Sequence, residues 1–214
     1  MDKSLQPPSP RLTAVAPFYA LRHGETEWNR QGRFQGHCDI PINASGRRQA
    51  AEAAKTLAGL LAADRAARRR VVVLSSPLRR AVETAEEICR QTGVPAEMLR
   101  TDERLREIAF GAWEGLTTLE VKARFPQERR ARKQDRWAFA PPGGQSHADA
   151  ADAMRGLLRD LPSDGLPILV THSGNIRTLY YLLAGYGGNA SAVLPVPHGS
   201  VLGWDGRRLE WISQ

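Results

Sequence analysis

The sequence predicts an α/β protein, a three-layer α/β/α sandwich with a mostly parallel central sheet and a small helical cap. Three observations predict it. Short apolar runs alternate with longer segments whose apolar residues recur at helical spacing. Such alternation implies parallel strands covered on both faces by the intervening helices. An irregular, strongly charged helical stretch at 114–137 interrupts the pattern and reads as the cap. The length of 214 residues suits one α/β domain, alone or with such a cap, and buries a substantial core.

The elements follow in order. Residues 1–14 read as a loose, Pro-rich tail, with a single domain over 15–214 and a cap-like insertion at about 114–146. "APFYALRH", at 16–23, is a buried strand. From Asn43, a good N-cap, a helix places Ala50, Ala53, Ala54, Leu57, Leu60 and Leu61 on one face. "VVVLSS", at 71–76, is the second strand. Ser76 and Pro77 read as the cap and first residue of the next helix, which stops at Gly93. "AEMLRT" is a short third strand, and "PPGGQS", at 141–146, is a loop. A helix is expected over 147–161, a strand over 166–172, and a helix from there to Gly185. "SVLGWDGRRLEWI" reads as two strands turning at Asp205 and Gly206. Repeats and low-complexity blocks are absent.

Composition narrows the classes. The chain is 42% hydrophobic and 25% charged, as in ordinary globular proteins. No apolar run is long enough to cross a bilayer, and the N-terminal stretch lacks the apolar centre of a secretion signal. A cytoplasmic protein is therefore expected, a monomer or homodimer, with Cys38 and Cys89 reduced. The net charge of +7 points to an anionic partner. Its basic runs, at 65–70 and 128–136, read as a solvated helix end and a solvated helix face. No nucleic-acid-binding module accompanies them, so no nucleic-acid partner and no membrane partner is expected.

Three strands end in chemically active residues. The first ends at Arg22 and His23, the second leads to Arg79 and Arg80, and the late one ends at Thr171 and His172. Ligands of open α/β sheets bind beyond these carboxyl ends. A fourth segment, "LREIAFGAWEG", places Glu107 among Leu105, Ile108 and Phe110. Arginine forks match phosphate oxygens, and helix N-termini add N–H donors. A nucleophile, a cationic cradle and a carboxylic acid together make a phosphoryl-transfer site. Arginines here carry the charge that Mg²⁺ supplies elsewhere, so no metal and no cofactor is expected. Singly, each residue has a structural explanation: a strand-end histidine, a solvated arginine, or Glu107 paired with Arg104 or Arg106.

"RHGETEWN" resembles the signature of the histidine phosphatase superfamily, also called phosphoglycerate mutase-like proteins. Its R-H-G-x-T-x-x-N pattern is met by Arg22, His23, Gly24, Thr26 and Asn29. "GRFQGHCDIPINASGRRQA" resembles the next stretch, with Asn43 where threonine is common. "SSPLRRAVETA", "LREIAFGAWEG" and "VTHSGNIR" are similar to the later motifs, and the likeness covers roughly 16–212. The resemblance implies that His23 attacks phosphorus and forms a phosphohistidine, its other ring nitrogen held by a backbone carbonyl. It implies that Arg22, Arg80 and His172 hold the phosphoryl oxygens, with Asn29 assisting. Of the adjacent arginines it chooses Arg80, not Arg79. Glu107 would protonate the leaving alkoxide and then deprotonate water, a double role that calls for partial burial.

Within the family, "FAPPGGQS" and "FGAWEG" look like the phosphatases, and the span from Glu107 to His172 is short for a mutase. The expected activity is metal-independent hydrolysis of a small phosphorylated metabolite, that is, a phosphoric monoester hydrolase. A cofactor-dependent phosphoglycerate mutase and an α-ribazole phosphate phosphatase remain as alternatives. So does a non-catalytic phosphate- or phosphoprotein-binding module, although every expected catalytic residue is present. The cap argues against a protein phosphohistidine phosphatase.

Overall fold

The computed structural model describes residues 11–66 and 70–212. Six strands form one sheet: β1 (Phe18–Arg22), β2 (Arg70–Ser75), β3 (Leu99–Thr101), β4 (Gly165–Thr171), β5 (Val201–Trp204) and β6 (Leu209–Ile212). Their order is β3-β2-β4-β1-β5-β6. The first four in that order run parallel, and β5 and β6 are antiparallel additions at the edge. Every residue of the central β4 is buried. Alternate residues feed two cores, as a sheet covered on both faces requires. Ile168 and Val170 face Leu57, Leu61, Ala81 and Ile88 of α2 (Ala44–Ala66) and α3 (Arg79–Thr92). Leu169 faces the other way, toward Leu157, Leu158, Ile176 and Leu179. Those residues belong to α6 (His147–Arg159) and α7 (Ser173–Leu179). The three-layer sandwich and its mostly parallel sheet are as expected.

Local chemistry sets the element ends. Asn43 caps α2, its side-chain oxygen accepting the Gly46 N–H at 2.8 Å. Gly93 ends α3 at φ 68°, the left-handed conformation that glycine supplies. That helix starts at Arg79, two residues later than expected. Ser76 is drawn instead to His172, whose Nε2 lies 2.7 Å from its hydroxyl, and Asp39 accepts the Arg79 N–H at 2.7 Å. The expected strand at 96–101 is extended only from Leu99, because Met98 N–H closes a tight turn onto Pro95. The helix after β4 widens into a π-turn over Tyr180–Ala184 before Gly185. Two short helices, α1 (Glu27–Arg30) and α8 (Gly188–Ser191), carry too few residues to show a period in sequence.

The cap is two short helices, α4 (Thr118–Arg124) and α5 (Pro126–Gln134), meeting at Phe125. Thr117 and Glu120 form a capping box for α4, and Pro126 opens α5 where its missing N–H costs nothing. Residues 1–10 of the expected tail and most of the basic run at 65–70 lie outside the described residues. Leu12 N–H donates to Leu182 O at 2.9 Å. Among the described residues no helix is long and apolar enough to cross a membrane.

Candidate active site

The carboxyl ends of β1 and β4 lie side by side, with Arg22 opposite Thr171. His23 continues that ladder, its N–H donating to Thr171 O at 2.9 Å. The ring Nδ1–H donates to Gly24 O at 2.7 Å. That bond fixes the tautomer and leaves Nε2 with its lone pair free. His172 caps α7 one residue beyond β4, and its ring centroid lies 5.1 Å from that of His23. Arg80 Nε donates to His172 Nδ1 at 3.3 Å. His172 Nε2–H therefore donates to Ser76 Oγ.

Both rings are buried, and burial pushes both pKa values well below the usual histidine range, with Arg80 adding to the effect. His23 is thereby kept neutral, the form in which an imidazole is a nucleophile. Arg80 is 1% exposed. Its terminal nitrogens donate to Cys38 O and Gly36 O, both at 2.8 Å. Gly36 has φ 50°, and a Cβ there would run into the Glu114 carboxylate. That carboxylate accepts from the His37 and Phe110 N–H groups at 3.0 Å and from Cys38 Sγ at 3.2 Å. Glu114 thus fastens the loop whose carbonyls aim Arg80.

Arg22 donates to Val196 O at 2.9 Å, while its Nε is buried without a partner among the described residues. Burial lowers its pKa to about 10, against the attraction of Glu107. Glu107 is 7% exposed and lies against the first residues of α7. One carboxyl oxygen accepts from Gly174 N–H and Ile108 N–H, both at 3.1 Å, and the other from Ser173 Oγ at 3.4 Å. It forms no pair with Arg104 or Arg106, which turn to Asp102, Asp160 and Glu103. Four expected residues, His23, Arg80, His172 and Glu107, are linked by direct contacts or through α7, and Arg22 is within electrostatic reach of each charged member. Asn29 stands apart. Its amide oxygen is committed to Thr26 at the start of α1, so only its NH₂ group is left for a ligand.

Several polar groups near these residues went unforeseen. His198 Nδ1–H donates to His23 O at 2.7 Å, and its ring meets His23 edge-on at 5.6 Å. Burial and Arg22 lower its pKa to about 4. The basic run of α5 is not a uniformly solvated face. The Arg132 guanidinium lies 5.7 Å from the Phe34 ring centre and 5.8 Å from that of Trp113. Burial, then Arg136, Arg177 and Arg129, lower its pKa to about 10. His147, 8% exposed and stacked on Trp137, falls to about 3 through burial and then Arg177, Arg132 and Arg136. None of these four arginines has a carboxylate partner among the described residues. Arg177 also feels Glu107, so the cationic group reaches from the cap to the strand ends.

Among the described residues no three histidines, cysteines or carboxylates are grouped to hold a metal ion. A cavity of about 440 Å³ opens beside Pro17, Trp204 and Asp205 at the opposite end of β1 and contains none of this chemistry. A smaller one of about 250 Å³ borders His37, Glu107 and Asn175.

The pattern for the histidine phosphatase superfamily (branch 1) matches residues 18–211. A glucosyl-3-phosphoglycerate phosphatase from Mycolicibacterium vanbaalenii is 38% identical over 93% of this chain and 84% of its own. Phosphoserine phosphatase 1 from Hydrogenobacter thermophilus is 31% identical over 77% of this chain and 74% of its own. The solved structure of a mycobacterial glucosyl-3-phosphoglycerate phosphatase with VO3 superposes with a TM-score of 0.72 at 31% identity. That match covers 92% of this chain and 97% of the other.

Proposed function

The chain belongs to the histidine phosphatase superfamily, and from that premise we propose that it hydrolyses a small phosphomonoester bearing a carboxylate, through a phosphohistidine at His23. The observation that carries the proposal is the neutral His23–His172 pair set against Arg22 and Arg80 at the ends of β1 and β4. His23 Nε2 attacks phosphorus, the P–O bond to the substrate breaks, and Glu107 as the acid protonates the departing alkoxide. Glu107, now a carboxylate, takes a proton from water. The resulting oxygen attacks phosphorus, the P–N bond breaks, and inorganic phosphate leaves. Arg22 and Arg80 hold the equatorial oxygens throughout, where preorganised donors lower the barrier most, and His172 joins them by turning its Nε2–H from Ser76 to a phosphoryl oxygen. Asn29 donates from its NH₂ group.

The substrate class rests on two supports. The relatives named above act, by their names, on glucosyl-3-phosphoglycerate and phosphoserine, and both compounds carry a carboxylate. Here the cap brings Arg132 and Arg136 toward Arg177 with no acidic partner among the described residues. A bound carboxylate would supply the missing negative charge. In this proposal one catalytic domain over 15–214, with the cap inserted at about 114–146, works in the cytoplasm as a monomer or homodimer.

These same cap arginines favour one second reading, a mutase that grips a phosphoglycerate while it reorients. The experiment supplies 3-phosphoglycerate with catalytic 2,3-bisphosphoglycerate and follows the species by ³¹P NMR. Steady release of inorganic phosphate with little 2-phosphoglycerate is expected. Rapid isomerisation with little free phosphate would replace the phosphatase reading by the mutase.

A further inference from the structure

We infer that His198 is a positioning residue for His23, holding the peptide between residues 23 and 24 in the plane from which the His23 imidazole is aimed. The sheet explains why such a residue is needed. The pairing of β1 with β5 ends at Leu21 and Val201. Before Val201 the chain turns away at Gly199, φ 71°. The His23 carbonyl thus has no strand partner on that side, and a buried carbonyl without a donor is costly. His198 Nδ1–H reaches back and donates to it at 2.7 Å. The other end of the same peptide is held too, because Gly24 N–H donates to Thr84 Oγ1 at 3.0 Å.

The consequence falls on the nucleophile. The His23 ring is oriented by Gly24 O, the carbonyl immediately after the pinned peptide. A Cβ at Gly24 would collide with Gly46 O, so no side chain at that position could hold the peptide in place of His198. With His198 removed, the peptide is fixed only at its N–H end. Gly24 O, and the imidazole it holds, then gain a freedom that in-line attack cannot tolerate. Most of the phosphate cradle is anchored elsewhere, Arg80 on Gly36 and Cys38 and His172 on Ser76 and Arg80, and Arg22 is held by Val196 O rather than by the His198 ring. His198 therefore controls the rate of attack more than the affinity for phosphate.

This inference rests on His23 as the nucleophile, so its test has one arm that needs no activity. The variants are His198→Ala, His198→Phe and His198→Asn. Asparagine places an N–H donor where Nδ1 stands, whereas phenylalanine keeps the ring volume without the donor. Proton NMR follows the hydrogen-bonded Nδ1–H of His23, assigned by its loss in His23→Ala. Quench-flow measures phosphoenzyme formation, and inhibition by inorganic phosphate measures the cradle. A small misplacement of reacting groups costs up to about 10²-fold. His198→Ala and His198→Phe should form phosphoenzyme about 10-fold to 100-fold more slowly, with Ki for phosphate within about threefold of the parent. Both should broaden or lose the His23 resonance. His198→Asn should restore the resonance and most of the rate. An unchanged resonance in both donor-less variants, an asparagine variant as impaired as alanine, or a loss of phosphate affinity equal to the loss of rate would each overturn it. If the parent forms no phosphoenzyme, the nucleophile assignment fails, and the resonance alone decides whether His198 holds the ring.

Discussion

Replacing Arg80 by alanine should be far more damaging than replacing its neighbour Arg79, and the structure sets the scale. Arg80 is 1% exposed and donates to Gly36 O, Cys38 O and His172 Nδ1. Its loss orphans three acceptors, each worth about 1–3 kcal/mol if fully buried. Part of that is offset, because burial already opposes the Arg80 charge and its removal ends that cost. A net loss of about 2 kcal/mol is reasonable, which lowers Tm by roughly 4–8 °C in a chain of this size. Catalysis should fall further. A transition-state donor of this kind is worth about 2.7–4 kcal/mol, or roughly 10²–10³ in rate. Arg79 is different. Its side chain is 61% exposed and pairs with Glu83 one helical turn on. Such a pair is worth about 0.3–0.5 kcal/mol. The assay compares kcat/KM and thermal melts of both variants, with and without inorganic phosphate, since a ligand that binds the folded state raises Tm more the more tightly it binds. Arg80→Ala should lose both turnover and the phosphate-induced shift. If Arg79→Ala lost more activity, or Arg80→Ala kept the full shift, the placement of Arg80 in the phosphate cradle would be refuted.

Glu107→Gln should slow an alkyl phosphate about 10²–10⁴-fold and a nitrophenyl phosphate much less, because nitrophenolate leaves without a proton. Equal losses in single-turnover phosphoenzyme formation would contradict the acid role. Arg132→Met and Arg136→Met should raise KM about tenfold for a carboxylate-bearing phosphomonoester and leave p-nitrophenyl phosphate unchanged, a charge-assisted bond being worth about 1.5–3 kcal/mol. Equal effects on both substrates would make the cap arginines structural. The folded pKa of His147 is about 3, below its unfolded value, so the unfolded chain binds the extra proton at intermediate pH. The resulting stability is complete above about pH 6.5 and is lost as the pH falls toward 3. His147→Phe should keep the stack on Trp137 and flatten the fall of the urea midpoint across that range; an unchanged slope would contradict the buried neutral imidazole.

The strand-end chemistry was legible in sequence because its residues are local to their elements. Arg22 and His23 end β1, His172 follows β4, and Arg80 opens α3, so knowing that the strands are parallel suffices to collect them at one edge. What escaped depends on distant partners. Ser76 reads as a helix cap until His172 arrives from 96 positions away to claim its hydroxyl. Arg132 reads as solvated until Phe34 and Trp113, from two other segments, form the wall it covers. His198 stands alone in "LPVPHGS", and only the divergence of β5 from β1 gives its ring a carbonyl to serve. Asn29 shows the converse. Its motif position was plain, yet its oxygen belongs to the start of α1, a helix too short to be seen as a period.

The central claim is a covalent phosphoryl group on one imidazole nitrogen. Rapid acid-free quenching during turnover of a ³²P-labelled phosphomonoester, followed by peptide mapping, tests it most directly. The label should be stable to base, labile to acid, and carried by the peptide containing His23, with none in His23→Ala. Turnover in the parent with no trapped label, or label retained in His23→Ala alongside a tenth or more of the parent rate, would contradict the account.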